Sequence, residues 1–287
     1  MGKVIQWYPG HMQKAKRQMI EKMNLIDVVF ELVDARLPFS STNPFIKEII
    51  TTKPRVILLN KSDKADERKT KEWIKYYRSI GVYALAIDSL NGEGVNKIVQ
   101  VAKDALKEKI KKDKLKGLKE KAIRALIVGI PNVGKSTLIN RLAKRKAAKI
   151  GDRPGVTKAQ QWIKVEKRFE LLDTPGILWN KFDDDETGFR LALTGAIKDE
   201  ILPVDDVVIY GIKYFAKKYP KRIIERYNLT QTEDPIIVLN EIGKSRGCIR
   251  GKEVDYERVY TIFLNDLRGE KLGRITLDDV PVWEEVL

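Results

Sequence analysis

Two short stretches, "LLNKSDK" at residues 58–64 and "GIPNVGKS" at residues 129–136, decide how this chain is read. The second sets Gly129, Gly134, Lys135 and Ser136 at the spacing G-x-x-x-x-G-K-[ST], after an apolar run ("RALIVG", 124–129) and before a helical pattern ("KSTLINRLA", 135–143). Glycines there let the backbone N–H groups of Asn132 to Thr137, through Val133 and Gly134, curl around phosphate oxygens. The positive end of the new helix adds to the attraction. In that arrangement Lys135 neutralises the β and γ phosphates, and the Ser136 hydroxyl is a ligand for Mg²⁺.

The first stretch suits the other end of a nucleotide. Asp63 presents two acceptors, which match the ring N–H and exocyclic amine of guanine. Adenine lacks that amine and leaves buried polar groups unpaired. Asn60 reaches the purine edge, and the stem of Lys61 covers the ring. A loop at 86–94, "AIDSLNGEG", offers the Ser89 backbone N–H to guanine O6. Downstream, "DTPG" at 173–176 follows the strand-like "FELL". Asp173 is expected to hold Mg²⁺ through water, and the Gly176 N–H to sense the γ-phosphate. Thr157, in "RPGVT", is read as the second Mg²⁺ hydroxyl, with a plain turn threonine as the alternative. GTP and GDP are the expected ligands, with Mg²⁺ as cofactor.

The order of these motifs is unusual, because the base loop precedes the phosphate loop. Apolar runs at 28–34, 55–60, 83–88 and 124–129 predict strands, as do "QWIKVE" and "RFELLD". Helical patterns near 43–50, 67–80, 95–110 and 135–143 separate the first five. The alternation predicts an α/β fold, a mostly parallel sheet with helices on both faces. The strand at 27–36 resembles the one that follows the D-x-x-G loop in small GTPases, yet here it opens the domain. The reading is a circularly permuted P-loop GTPase domain over 1–178, joined through the lysine-rich segment 107–121. After about residue 178 only helical patterns remain, which predicts a small all-helical domain over 179–287. The segment after Asp173 leads into those helices, so nucleotide state is expected to set the orientation of the two domains.

Composition narrows the class further. The chain carries 55 Lys+Arg against 40 Asp+Glu, a formal charge of +15. A protein this basic is expected to touch a polyanion, with plain solubility as the bland alternative. No stretch approaches the roughly 20 apolar residues of a membrane span, and the N-terminus lacks a signal peptide's apolar core. One cysteine, Cys248, excludes an intramolecular disulfide and fits a reducing cytoplasm. A basic helix is expected over 11–23, packed through Met12, Ala15, Met19 and Met23.

The order NKSD, GIPNVGKS, RPGVT, DTPG, with "WYPGHM" at 7–12 and a helical C-terminal domain, resembles the ribosome biogenesis GTPase A (YlqF) family over essentially the whole chain. The resemblance implies a cytosolic GTPase that promotes late assembly of the large ribosomal subunit and is stimulated by it. It also implies contacts to 23S rRNA and ribosomal proteins, with a monomer expected off the ribosome. Ras-like enzymes orient the attacking water with a glutamine where this chain has Ile177. The single histidine, His11, is the candidate replacement, or else a structural residue holding the Pro9-Gly10 turn. Asn132 resembles the asparagine by which potassium-dependent relatives bind K⁺; a loop-stabilising role is the alternative. Basic stretches, interleaved with aromatics at 213–222 and with glycines at 243–252, make Lys217, Lys218, Arg246 and Arg250 candidate RNA contacts. Two competing readings stay open, a nucleotide-binding RNA scaffold with negligible turnover and a GTPase for tRNA modification or membrane transport.

Overall fold

The valine-rich run at 28–34 is buried at every position, so it can only be a central strand. In the structure, a computed structural model that describes residues 17–50, 53–144, 161–174, 185–197, 199 and 203–281, it forms β1 (Val28–Asp34). It pairs in parallel with β2 (Arg55–Asn60) on one side and β4 (Ile123–Gly129) on the other. β3 (Tyr83–Ala86) extends the sheet beyond β2, and β6 (Phe169–Asp173) lies parallel to β4. Only β5 (Gln161–Glu166), at the far edge, runs antiparallel. The spatial order is β3-β2-β1-β4-β6-β5.

Connections from β4 move one way across this sheet, and those from β1 move the other. The crevice outside the carboxyl ends of β1 and β4 is therefore a topological switch point, where α/β sheets bind ligands. The sheet is that of a P-loop GTPase whose chain starts at a different strand, as the inverted motif order requires.

The intervening helices are α1 (Pro44–Ile49), α2 (Glu67–Ser79), α3 (Ile98–Ala105), α4 (Lys107–Leu115) and α5 (Lys135–Ala143). Asn43 caps α1 through Phe45 N, and Asp66 caps α2 through Lys69 N, which satisfies amides the first turn leaves orphaned. The single helix expected near 95–110 is instead a 3₁₀ turn (Val95–Lys97), α3, and then α4, with Leu106 buried at the junction. α4 has no buried residue, as its seven charged side chains in nine positions demand. Met19 is 1% exposed, and Met23 packs on the same cluster of Ile26, Val29, Phe45 and Leu126. The methionine stripe thus faces the core where the structure describes it; Met12 and Ala15 lie outside the described residues.

The described residues fall into two compact units, one holding 17–174 together with 276–281, the other 185–275. The smaller unit comprises α6 (Asp185–Leu193), α7 (Val204–Lys218), α8 (Pro220–Tyr227), α9 (Pro235–Ser245) and α10 (Tyr256–Arg268). Phe215 and Phe263 meet edge-on in its core, 6.2 Å between centroids. Pro220 ends α7 and starts α8, because a proline suits the first turn of a helix and not its interior. A short hairpin, β7 (Ile249–Arg250) with β8 (Glu253–Val254), turns at Gly251 (φ +67°). The expected helical domain therefore carries a two-stranded addition. The sequence reading also ran that domain on to residue 287, whereas residues 276–281 pack with the larger unit.

Candidate nucleotide site

The phosphate loop leaves β4 at Gly129, where a side chain would meet the Leu32 carbonyl at 2.6 Å. It passes Asn132, held at φ +57°, and enters α5 through Gly134, at φ +98°. A methyl group on Gly134 would lie 2.4 Å from the Asn60 amide nitrogen, so the tight turn is enforced by the neighbouring loop as well as by backbone strain. Lys135 begins α5 and is 8% exposed, while Ser136 and Thr137 are half-buried behind it.

The base loop docks directly on this turn. Asn60 Nδ2 donates to the Val133 carbonyl at 2.7 Å, and Lys61 Nζ donates to the Asn132 carbonyl at 2.8 Å. Thus Asn60, Lys61, Asn132, Val133, Gly134 and Lys135, distant in sequence, stand at one crevice, with Asp63 two residues further along the same loop. Lys61 has φ +58° and also forms an ion pair with the buried Asp34 at 3.1 Å. Burial opposes the charge on Asp34, but Arg36 and Lys61 outweigh it and hold the carboxyl well below the ordinary range. Arg36 contributes through its Nε at 2.9 Å and Nη2 at 2.7 Å. Neither Asp34 nor Arg36 was singled out by motif reading, since their part is to hold Lys61.

Ser89 departs from expectation. Its backbone N–H donates to Asn60 Oδ1 at 3.0 Å and its hydroxyl to the same oxygen at 2.7 Å. That amide is committed to orienting the asparagine, and is not turned to guanine O6. The loop is held by Arg141 of α5, which donates to the Ser89 carbonyl at 3.4 Å and also to that of Leu90.

At the phosphate end, Asp173 closes β6 with no exposure, and the Thr174 hydroxyl donates to the Ile127 carbonyl at 2.8 Å. Burial pulls the Lys135 pKa down to about 8, and the nearby Asp173 carboxylate partly counters it. A buried carboxylate and a hydroxyl at a helix start are hard oxygen donors of the kind Mg²⁺ takes. His11, Thr157, Gly176 and Ile177 lie outside the described residues.

In the helical unit Lys217, Lys218 and Arg250 are exposed. Arg246 is not available in the same way, because its guanidinium donates to the Arg226 carbonyl at 2.8 Å and lies over the Tyr227 ring at 5.4 Å. It therefore packs within this unit, unlike the exposed Lys217, Lys218 and Arg250.

Sheet topology and the two docked loops define a permuted P-loop GTPase. The family profile described as "50S ribosome-binding GTPase" matches residues 124–241. Ribosome biogenesis GTPase A of Bacillus licheniformis is 56% identical over 277 residues, 96% of this chain and 98% of that protein. The Thermotoga maritima protein of the same name is 33% identical, covering 97% of each chain. The crystal structure of GNP-bound YlqF from T. maritima is similar with a TM-score of 0.64 and 26% identity, over 93% of this chain and 100% of that one. A GDP-bound YlqF structure gives 0.66 and 25%, over 91% and 98%. The chain belongs to the ribosome biogenesis GTPase A family, and it is a GTPase.

Proposed function

We propose that this chain is a GTP-hydrolysing assembly factor for the large (50S) ribosomal subunit, binding 23S rRNA and ribosomal proteins and acting as a monomer when off the particle. The reading is carried by the docking of the base loop onto the phosphate loop at Asn60 and Val133, in a chain with a formal charge of +15. The names of its relatives supply the ribosomal context. No helix among the described residues is long and apolar enough to cross a membrane, and the protein is proposed to work in the cytoplasm.

In this reading Asp63 selects guanine, and Lys135 with the amides of residues 132–137 holds the phosphates. Ser136, Asp173 and Thr157 hold Mg²⁺, which when bound neutralises phosphate charge. Asn132 is the proposed K⁺ ligand, and His11 the proposed group that positions the attacking water. RNA is held by Lys217, Lys218 and Arg250 through its phosphates. Because the chain runs from Asp173 into the helical unit, loss of the γ-phosphate loosens the orientation of that unit.

The test is multiple-turnover GTP hydrolysis titrated with mature and precursor large subunits. Stimulation that saturates with either particle is expected, and His11→Ala is expected to reduce it with GTP affinity retained. Turnover indifferent to both particles would point to the scaffold reading instead.

A further inference from the structure

We propose that the segment Thr276–Asp279, and Asp278 above all, is a clasp that positions the guanine loop from behind; the proposal rests on reading Asn60, Lys61 and Asp63 as the base site. Asp278 is 1% exposed, and its carboxylate is fully engaged. Oδ2 accepts from Phe39 N and Ser40 N, both at 2.8 Å, and Oδ1 accepts from the Ser40 hydroxyl at 2.6 Å. Leu277 N donates to the Arg36 carbonyl at 2.8 Å. The Thr276 hydroxyl, fully buried, accepts from Asp66 N at 3.2 Å and donates to the Ala35 carbonyl at 3.5 Å. Trp73 Nε1 donates to the Asp278 carbonyl at 3.3 Å, and Lys69 pairs with Asp279 at 2.5 Å.

Four consecutive residues thus tie together two pieces of chain, 35–40 and 66–73. The first piece starts one residue after Asp34, the counter-ion of Lys61. The second starts three residues after Asp63. Between clasp and Lys61 the contacts are continuous. Asp278 fixes Phe39 and Ser40, and the next residue, Ser41, accepts from Asp34 N at 2.9 Å. Arg36, whose carbonyl takes the Leu277 amide, grips the Asp34 carboxylate. Asp34 in turn holds Lys61, which sits at positive φ and so needs outside support to keep its place. β2 and α2 are closed by their own hydrogen bonds and cap, so the sheet itself does not call for an aspartate at this position. What the clasp adds is a fixed register between the turn after β1 and the loop after β2.

The measurement is the dissociation rate of a fluorescent GDP from the full chain, with the KM and kcat of GTP hydrolysis. Asp278→Ala leaves three donors without their acceptor and is expected to release GDP about tenfold faster, raising KM more than it lowers kcat. A thermal melt accompanies each variant, because a purely structural role predicts a lower midpoint with unchanged GDP release. If Asp278→Ala does not fold, Thr276→Val, which removes the Asp66–Ala35 bridge, gives the same readout. Wild-type release from the folded variant overturns the proposal. Asp63→Asn is the separate control. It should abolish the preference for GDP over ADP, and if that preference survives, it is the guanine-site reading that fails.

Discussion

The Asn60 side chain joins three parts of the nucleotide site at once, donating to the Val133 carbonyl at 2.7 Å while accepting from Ser89 at 2.7 Å. Base loop, phosphate loop and the 86–94 loop are therefore one hydrogen-bonded body, although 73 residues separate Asn60 from Val133. Asn60→Ala strands one carbonyl, one amide and one hydroxyl in a buried place. The expected cost is about 2–4 kcal/mol of stability in chemical denaturation, with GDP affinity reduced by at least about tenfold in titration calorimetry.

Gly134→Ala tests the turn that Asn60 abuts. Both the φ of +98° and the 2.4 Å approach to the Asn60 amide oppose a side chain. GDP affinity is expected to fall by about a hundredfold or more, since the loop must open to admit the methyl group. The circular dichroism spectrum should remain that of the wild type, because the sheet lies outside the clash. Undiminished GDP binding would show that the loop yields more readily than its packing implies.

Lys135 makes a prediction in protons. With its pKa pulled from 10.5 to about 8, the folded protein favours the neutral amine, so between those values the unfolded chain binds more protons. Its contribution to stability accordingly rises with pH across that window and is flat below it. Phosphate oxygens favour the charged amine and raise the pKa again. GDP binding at about pH 9 should take up a substantial part of one proton, and almost none at about pH 7. Calorimetry in buffers of different ionisation enthalpy reads this directly, and affinity should decline as pH climbs past 8.

The helical unit separates surface charge from packing charge. Lys217→Ala with Lys218→Ala should weaken rRNA binding and lower the slope of log affinity against log salt by about 1–2. Arg246→Ala should instead lower the thermal midpoint, because the Arg226 carbonyl and the Tyr227 ring lose their partner. Filter binding across a salt series, alongside melting curves, distinguishes the two. A slope change from Arg246→Ala with unaltered melting would reverse its assignment.

The sheet was legible because its strands are short apolar runs bounded by polar turns. β1 and β2 begin and end where those runs do, and α5 spans the helical pattern after Gly134. The phosphate and base loops were legible because their chemistry fixes local spacing. What escaped was tertiary. Ser89 was read as facing the base because nothing local tells whether its amide turns outward or back to Asn60. Arg141 and Arg36 look like ordinary surface arginines until the chain folds them over other loops. The hairpin at 249–254 left a signal in "IRGKEV", two apolar ends about a glycine, which a reading for flexible basic loops passed over. "ITLDDV" at 275–280 carries no periodicity that reveals Asp278, whose partner Ser40 lies 238 residues upstream.

That separation bears on how the molecule is made. Translation delivers Asp278 only after every residue of the helical unit, so the smaller body has its whole sequence while the larger still lacks a piece. A nascent chain halted near residue 270 holds both nucleotide motifs but has no tail to brace them. Long-range closures of this kind form late and slowly. Retention of guanine nucleotide at the full chain's slow rate should accordingly lag behind the synthesis of the motifs.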